Sequence, residues 1–460
     1  MAALDMTKGS ITGHLVRYSV PLIVGNLFQL AYNAVDSIIA GRFIGKEALA
    51  ALGTAGPVMN IIILGISGIC MGAGVLMSGF FGAGRHGELK KELSTILLFG
   101  LYFSLAVAVC GLFFARPLLS LLRVPDSVLD SACIYLKIII LGAPFTYFYN
   151  ALAAALKSVG DSGTPVKFLM FASLLNGLLD LIFIGGLGFG IVCSAVTTVA
   201  AESVSAVLTW IYIKKRVPLL HPDKENFRID PALLKKTLRY GGVTALQQAC
   251  QPIGKLLIQG AVNPLGVDVI AAFQAVNRVD DFAFTPEQSI SHGMTTFTAQ
   301  NLGAEGTREQ KTRRIDDGLR TGLMMEFLYW IFIFLVAFLA RNVLMKAFIS
   351  GEGGRNVVEL GSRYLKTMAF FYLLPAFTNG LQGYFRGLGK MGITLAGTFI
   401  QTSIRVAVTY LTAPVIGIYG VAFACAAGWS AMLLFEVPYL IYVRKKRSRL
   451  QGEELSLIHI

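Results

Sequence analysis

Apolar runs of about 20 residues, each long enough to cross a bilayer as a helix, recur along the whole chain, and no other feature limits the fold as strongly. They lie near 16–40, 48–81, 94–115, 132–156, 165–186, 188–213, 238–262, 267–302, 318–340, 360–386, 392–413 and 417–443. Hydrocarbon offers no partner to a free backbone N–H or C=O, so spans this long must satisfy themselves as helices. The expected fold is therefore an all-α polytopic membrane protein with twelve transmembrane helices. Composition agrees: 55% of the 460 residues are hydrophobic, only 15% are charged, and the mean hydropathy is +0.64. Soluble domains carry about 25% charged residues. Pro144, Pro286 and Pro375 interrupt three of the runs, which is tolerated where neighbouring groups satisfy the freed backbone.

The opening stretch MAALDMTKGSITGHLVRYSVP is polar and has no small-residue cleavage site, so the first run reads as a span and not as a signal peptide. The six cysteines fall inside spans without metal or redox spacing and read as small packing residues. A net charge of +13 raises the question of a nucleic-acid partner. Its distribution answers no. The basic residues cluster in KKRVPLLHPDKENFRIDPALLKKTLR (214–239), REQKTRR (308–314) and RKKRSR (444–449), which fall on one side of the membrane if both termini are cytoplasmic. That is the positive-inside bias. The last six residues, LSLIHI, break the basic tail and read as translated sequencing adaptor.

The longest polar connection divides the chain into equal sets of spans. The expected organisation is an N-terminal six-helix lobe (1–213), a basic cytoplasmic linker (214–237), a C-terminal six-helix lobe (238–443) and a basic tail (444–460). An offset of 221 aligns IGKEALAALG (44–53) with LGVDVIAAFQ (265–274) and sets Gly72 on Gly293. Later, an offset of 229 aligns NALAAALKSVG (150–160) with NGLQGYFRGLG (379–389). An even number of spans per repeat keeps both halves in the same orientation. Such parallel repeats are pseudo-symmetric bundles around a central cavity, which alternate access by rocking.

A charge at the bilayer centre costs about 3 kcal/mol or more, so intramembrane ionisable residues mark a function or a partner. On the first span Asn26, Gln29, Asn33 and Asp36 are spaced three, four and three apart and share one face. On the fifth, Ser173, Asn176 and Asp180 do the same. The amides could serve only to hydrogen-bond helices together. Two aspartates with no basic residue nearby in their own half's spans fit better as a site that exchanges a proton or holds a Na⁺ with amide oxygens. The second half differs. Its polar candidates are Gln248, Gln251, Lys255, Arg278, Asp280, Asp281 and Arg405, with Glu287 nearby. Arg278 and Asp281 could pair at i,i+3, and Lys255 or Arg405 could neutralise Asp280 or Glu287. A buried ion-pair network that fixes packing is as good a reading there as a functional site.

These residues also carry a resemblance. YSVPLIVGNLFQLAYNAVDSIIAGRFIG, SVGDSGTP (158–165), NGLLDLIFIGGLGFGIVCSA (176–195), TAQNLGA (298–304) and YFRGLG (384–389) resemble the multidrug and toxic compound extrusion (MATE) family over nearly the whole chain. The resemblance implies an ion-coupled antiporter that exports amphipathic, often cationic, organic compounds against inward H⁺ or Na⁺. It needs no other cofactor, and a monomer in a bacterial plasma (inner) membrane is expected. By position, Pro21 matches the proline at which the first helix bends. Asp36, Asn176 and Asp180 match the coupling-ion group, with Gln29, Asn33 and Ser173 as its supporting polar face. Some members carry acids on the seventh and tenth helices. Here the seventh offers Gln248 and Gln251 and the tenth has no acid, which argues against a C-lobe Na⁺ site of that kind. No enzyme motif and no Walker loop is present. The lone His292 reads as a packed residue. Two other readings remain: a flippase for an anionic lipid-linked precursor, which would use Lys255, Arg278 and Arg405, and an intramembrane lipid-modifying enzyme.

Overall fold

A computed structural model describes residues 4–39, 43, 46–122, 124–223, 227–349 and 354–458, with the side chains of 36–39, 46–49 and 447–458 outside the described set. Within it are fourteen α-helices and no strand. The first half comprises α1 (Ile11–Ile39), α2 (Lys46–Gly82), α3 (His86–Leu121), α4 (Asp126–Ser158), α5 (Gly163–Asp180) and α6 (Ile191–Arg216). The second comprises α7 (Pro231–Val262), α8 (Val267–Gly303), α9 (Arg308–Leu339), the short α10 (Arg341–Phe348), α11 (Gly354–Phe371), α12 (Leu373–Gly387), α13 (Met391–Ile416) and α14 (Ile418–Ile458). Only Tyr372 separates α11 from α12, so these two form one path, interrupted just ahead of Pro375.

Twelve spans result, six in each half. Eight of them are apolar enough to qualify on length and hydropathy alone. The other four are α1, α7, α8 and the α11–α12 path. Three of these, α1, α7 and α8, carry most of the polar candidates, and the last is broken. Polarity inside a span thus both weakens its hydropathy signal and marks its interest.

The helices divide into two compact units. One holds residues 1–6 and 20–245, the other 7–19 and 246–460. The unit boundaries cut α1 just before Pro21 and cut α7 seven residues before Pro252. In the first unit, a Cβ added to Gly72 would lie 2.5 Å from the backbone nitrogen of Gly241, so α2 and the start of α7 meet backbone to backbone. In the second, a Cβ on Gly293 would lie 2.8 Å from Ser19 Oγ, at the start of α1. Gly72 and Gly293 are the pair aligned by the repeat, and each admits the opening turns of a half's first helix. Small residues are the common device for close packing where lipid removes the hydrophobic drive between helices. Tyr18 on α1 also bonds Thr296 on α8, O–O 2.9 Å.

Each unit has its own apolar core. In the first, Ile66, Leu93, Ile96, Tyr147 and Leu156 pack α2, α3 and α4 together. In the second, Phe273, Val276, Tyr364, Met368 and Tyr372 join α8 to α11. The α13–α14 hairpin turns on a single residue, Gly417, at φ 61°, a left-handed conformation that side chains rarely adopt.

Candidate functional site

The polar face of α1 and the polar face of α5 meet in the first unit. Ser173 Oγ donates to Gln29 Oε1 at 3.2 Å, and Gln29 Nε2 donates to Asn33 Oδ1 at 3.3 Å. One turn deeper on α5, the Tyr32 hydroxyl donates to Asn176 Oδ1. Asn176 Nδ2 in turn donates to Asp180 Oδ2 at 3.2 Å. The other carboxylate oxygen accepts from Thr197 Oγ1 on α6. Asp180 is 1% exposed and Asn176 and Ser173 are each 6% exposed. The result is a buried carboxylate reached by a relay from three helices: Tyr32, then Asn176, then Asp180, with Thr197 on the far side.

Local structure explains why these groups converge. Gly25 lets α5 approach α1, since a Cβ there would fall within 2.2 Å of Val166 Cγ1. Gly177 leaves room for the Tyr32 ring, 3.4 Å from where its Cβ would be. Directly after Asp180 the chain widens into a π-helix, Leu181–Gly186. Such insertions are found often at functional sites, where they free carbonyls and re-aim side chains. Thr197 adds a further feature. Its hydroxyl also lies within reach of the Cys193 and Ser194 carbonyls, at 3.0 and 2.9 Å. A hydroxyl has one proton to donate, so Thr197 serves either Asp180 or its own helix at any moment.

Of the residues singled out from sequence, Ser173, Gln29 and Asn33 therefore form one hydrogen-bonded chain between α5 and α1, and Asn176 and Asp180 belong to a second, one turn along α5. Asp36 is in the helical backbone of α1, one turn beyond Tyr32, but its side chain lies outside the described residues. Pro21 sits inside a continuous α1. Tyr32 and Thr197 were not expected. Both belong to residue types that fill apolar helices for packing, and nothing in their own helices distinguishes them.

The second unit arranges its candidates differently. Lys255 Nζ pairs with Asp281 Oδ1 at 3.0 Å, both partly exposed. Asp281 is thus held from α7, and not through the i,i+3 pairing with Arg278 that spacing suggested. Arg278 is exposed. Asp280 is buried and accepts from the Tyr372 hydroxyl at 2.6 Å, with Arg405 within its electrostatic reach. Gln251 stands 3.5 Å from Gln401. Gln248 has a buried amide nitrogen without a hydrogen-bond partner among the described residues. The stronger amide network passes through Gln247, which donates to Gln382 at 2.7 Å and to Thr398 at 3.1 Å. Three glutamates in apolar runs, Glu202, Glu326 and Glu436, were also absent from the expected set. Glu326 and Glu436 are fully buried, and Glu202 accepts a hydrogen bond from Thr146.

Comparison with known proteins gives a consistent answer. The family model described as MatE matches residues 21–182 and 244–411. A Bacillus subtilis protein named probable multidrug resistance protein YpnP is 26% identical over 85% of this chain and 86% of its own. A second from the same organism, probable multidrug resistance protein YoeA, is 25% identical over 96% of both chains. A solved structure described as the outward-facing conformation of a multidrug resistance MATE family transporter superposes with a TM-score of 0.89. It covers 98% of this chain and 99% of its own at 22% identity, a likeness of fold.

Proposed function

The chain belongs to the MatE family, and from that premise we propose that it exports amphipathic organic compounds, many of them cationic, in exchange for inward-moving H⁺ or Na⁺. Both Bacillus relatives are named as probable multidrug resistance proteins, which supports a broad substrate class. In this reading the chain works as a monomer in a bacterial plasma membrane, with both termini in the cytoplasm, and its two halves alternate access.

The observation that carries the coupling is Asp180, buried in the first unit and met by two side-chain donors, Asn176 and Thr197, of which Thr197 can exchange partners. When Asp180 is ionised it accepts from Asn176 and Thr197. When it takes a proton it becomes a donor itself, and Thr197 is released to the Cys193 or Ser194 carbonyl. The α5–α6 contact then has two hydrogen-bonded arrangements, one for each state of the carboxyl. The chain from Asn176 to Tyr32 carries that change to α1. Asp36, one turn beyond Tyr32 along α1, is assigned to the same group from the sequence resemblance. An ion drives transport only through a difference in its affinity for the two access states, and a group shared by three helices supplies one. The lipid-flippase reading is weaker, because Lys255 is engaged by Asp281 and Arg405 is buried within electrostatic reach of Asp280.

The test is efflux of a fluorescent organic cation from liposomes holding the purified protein, with pH and Na⁺ gradients imposed separately. Gradient-driven efflux should fall at least about tenfold in Asp180→Asn and in Asp36→Asn, equivalent to about 1.4 kcal/mol, with the protein still folded. The gradient that drives the wild type identifies the ion. Undiminished coupled efflux in both variants would refute the assignment of this group.

A further inference from the structure

The second unit contains a pair of acids that the group around Asp180 does not use. Glu287 on α8 and Glu326 on α9 are both 0% exposed. Their helices are registered by Tyr329, whose hydroxyl donates to the Ala283 carbonyl at 2.9 Å. Glu287 lies four residues after Ala283 and Glu326 three residues before Tyr329, so each occupies the face that its helix turns to the other. From the third side, Asn379 on α12 donates to Glu287 Oε2 at 3.1 Å. The next residue, Gly380, has no side chain, and a Cβ there would lie 3.7 Å from Glu326 Cγ.

The four carboxyl oxygens thus receive one hydrogen bond among the described residues. Among the described residues, Glu287 Oε1 and both oxygens of Glu326 have no hydrogen-bond partner. Neither glutamate takes part in an ion pair among the described residues. On α8 the charged group that acts on Glu287 is Asp280, another acid, and on α9 Tyr329 is in electrostatic reach of both glutamates. Arg386 on α12 reaches towards Ser291, while Arg363 and Lys366 on α11 are exposed. Two ionised carboxylates here would repel one another without solvation or pairing, an arrangement that buried charges do not sustain. A proton removes one charge and adds a donor.

We propose that Glu287 and Glu326 form a proton-binding carboxyl pair at the α8–α9–α12 junction, separate from the Asp36–Asp180 group, that holds one proton between its two side chains in the folded protein. The ligand is H⁺ and not a metal cation, because among the described residues one amide, that of Asn379, joins the two carboxyls.

Infrared pH-difference spectroscopy of the full chain in lipid tests this without any transport assay, so it stands or falls apart from the export reading. Near neutral pH the wild type should give the carbonyl stretch of a protonated carboxyl, shifted in heavy water. Glu287→Gln and Glu326→Gln should each displace that band, and the double variant should lose one carboxyl's worth of it. An unchanged band in the double variant would overturn the proposal. So would a wild-type band abolished by Na⁺ at fixed pH, the mark of a metal-ion site. Glutamine reproduces the size and neutrality of a protonated glutamate. If the double variant nevertheless fails to fold, Glu326→Met takes its place with the same two outcomes.

Discussion

Asp180 in the first unit and Glu326 in the second are equally hidden, at 1% and 0% exposure, and each stands on a spanning helix among apolar residues. Their surroundings are opposite. Asp180 is met by an amide and a hydroxyl from two helices, and a tyrosine stands behind the amide. Glu326 is met by another glutamate and by no donor among the described residues. Burial alone therefore does not tell what a membrane carboxyl does; the donors around it do. A carboxyl with exchangeable donors can be stable both with and without its proton. One without donors is stable in a single form, and the site is built around that form.

Replacement of each acid by leucine gives the sharpest contrast. Asp180→Leu strands the Asn176 amide and the Thr197 hydroxyl, and unsatisfied buried groups cost about 1–3 kcal/mol each. A loss of about 2–4 kcal/mol is expected after part of the Thr197 cost is recovered by bonding to its own helix. Leucine at both Glu326 and Glu287 removes the shared proton together with both groups that hold it and strands only the Asn379 amide, so the double replacement should cost less than Asp180→Leu, as is common when a whole buried ionisable pair becomes apolar. Thermal unfolding in detergent measures both. Equal losses would erase the distinction between the two units.

Smaller substitutions resolve the relay around Asp180. Thr197→Val removes one bond to a charged acceptor, an effect of about 1.5 kcal/mol visible in the same unfolding series. If it proves silent, Thr197 serves its own helix and not the carboxylate. Tyr32→Phe removes a bond between neutral groups. In membrane proteins such bonds average about 0.6 kcal/mol, so the expected shift is smaller, and one larger than that for Thr197→Val would reverse the order of the relay. Lys255→Ala should matter least. Its pair with Asp281 is 49% and 37% exposed on its two side chains, and exposed pairs contribute at most about 1 kcal/mol, screened by salt. A larger, salt-independent loss would mean that the pair is desolvated and belongs with the buried charges.

The features legible in the sequence were those repeated along a single helix. Apolar length marked the spans, and polar residues three or four apart marked the faces of α1 and α5 that hydrogen-bond through Ser173 and Gln29. The repeat offset paired Gly72 with Gly293 before any contact was known. What escaped were partners on other helices. Glu326 is the one charged residue in GLMMEFLYW, because its partner Glu287 is on α8. The same rule that singled out Asp36, an acid inside an apolar run, would have found it if applied to every span. Thr197 and Tyr32 left no such trace.

By itself, then, the sequence determined the class of molecule, its doubled architecture and the face of each helix that could not be left to lipid. The reason is that hydrocarbon thickness, the 3.6-residue turn and the cost of a charge act locally, on residues adjacent in the chain. Only the tertiary structure decided which face meets which. It set Asp180 among donors, Glu326 against another acid and Lys255 beside Asp281, because those outcomes depend on helix register and on glycines that admit a neighbouring backbone. Both are settled by packing between segments far apart in sequence.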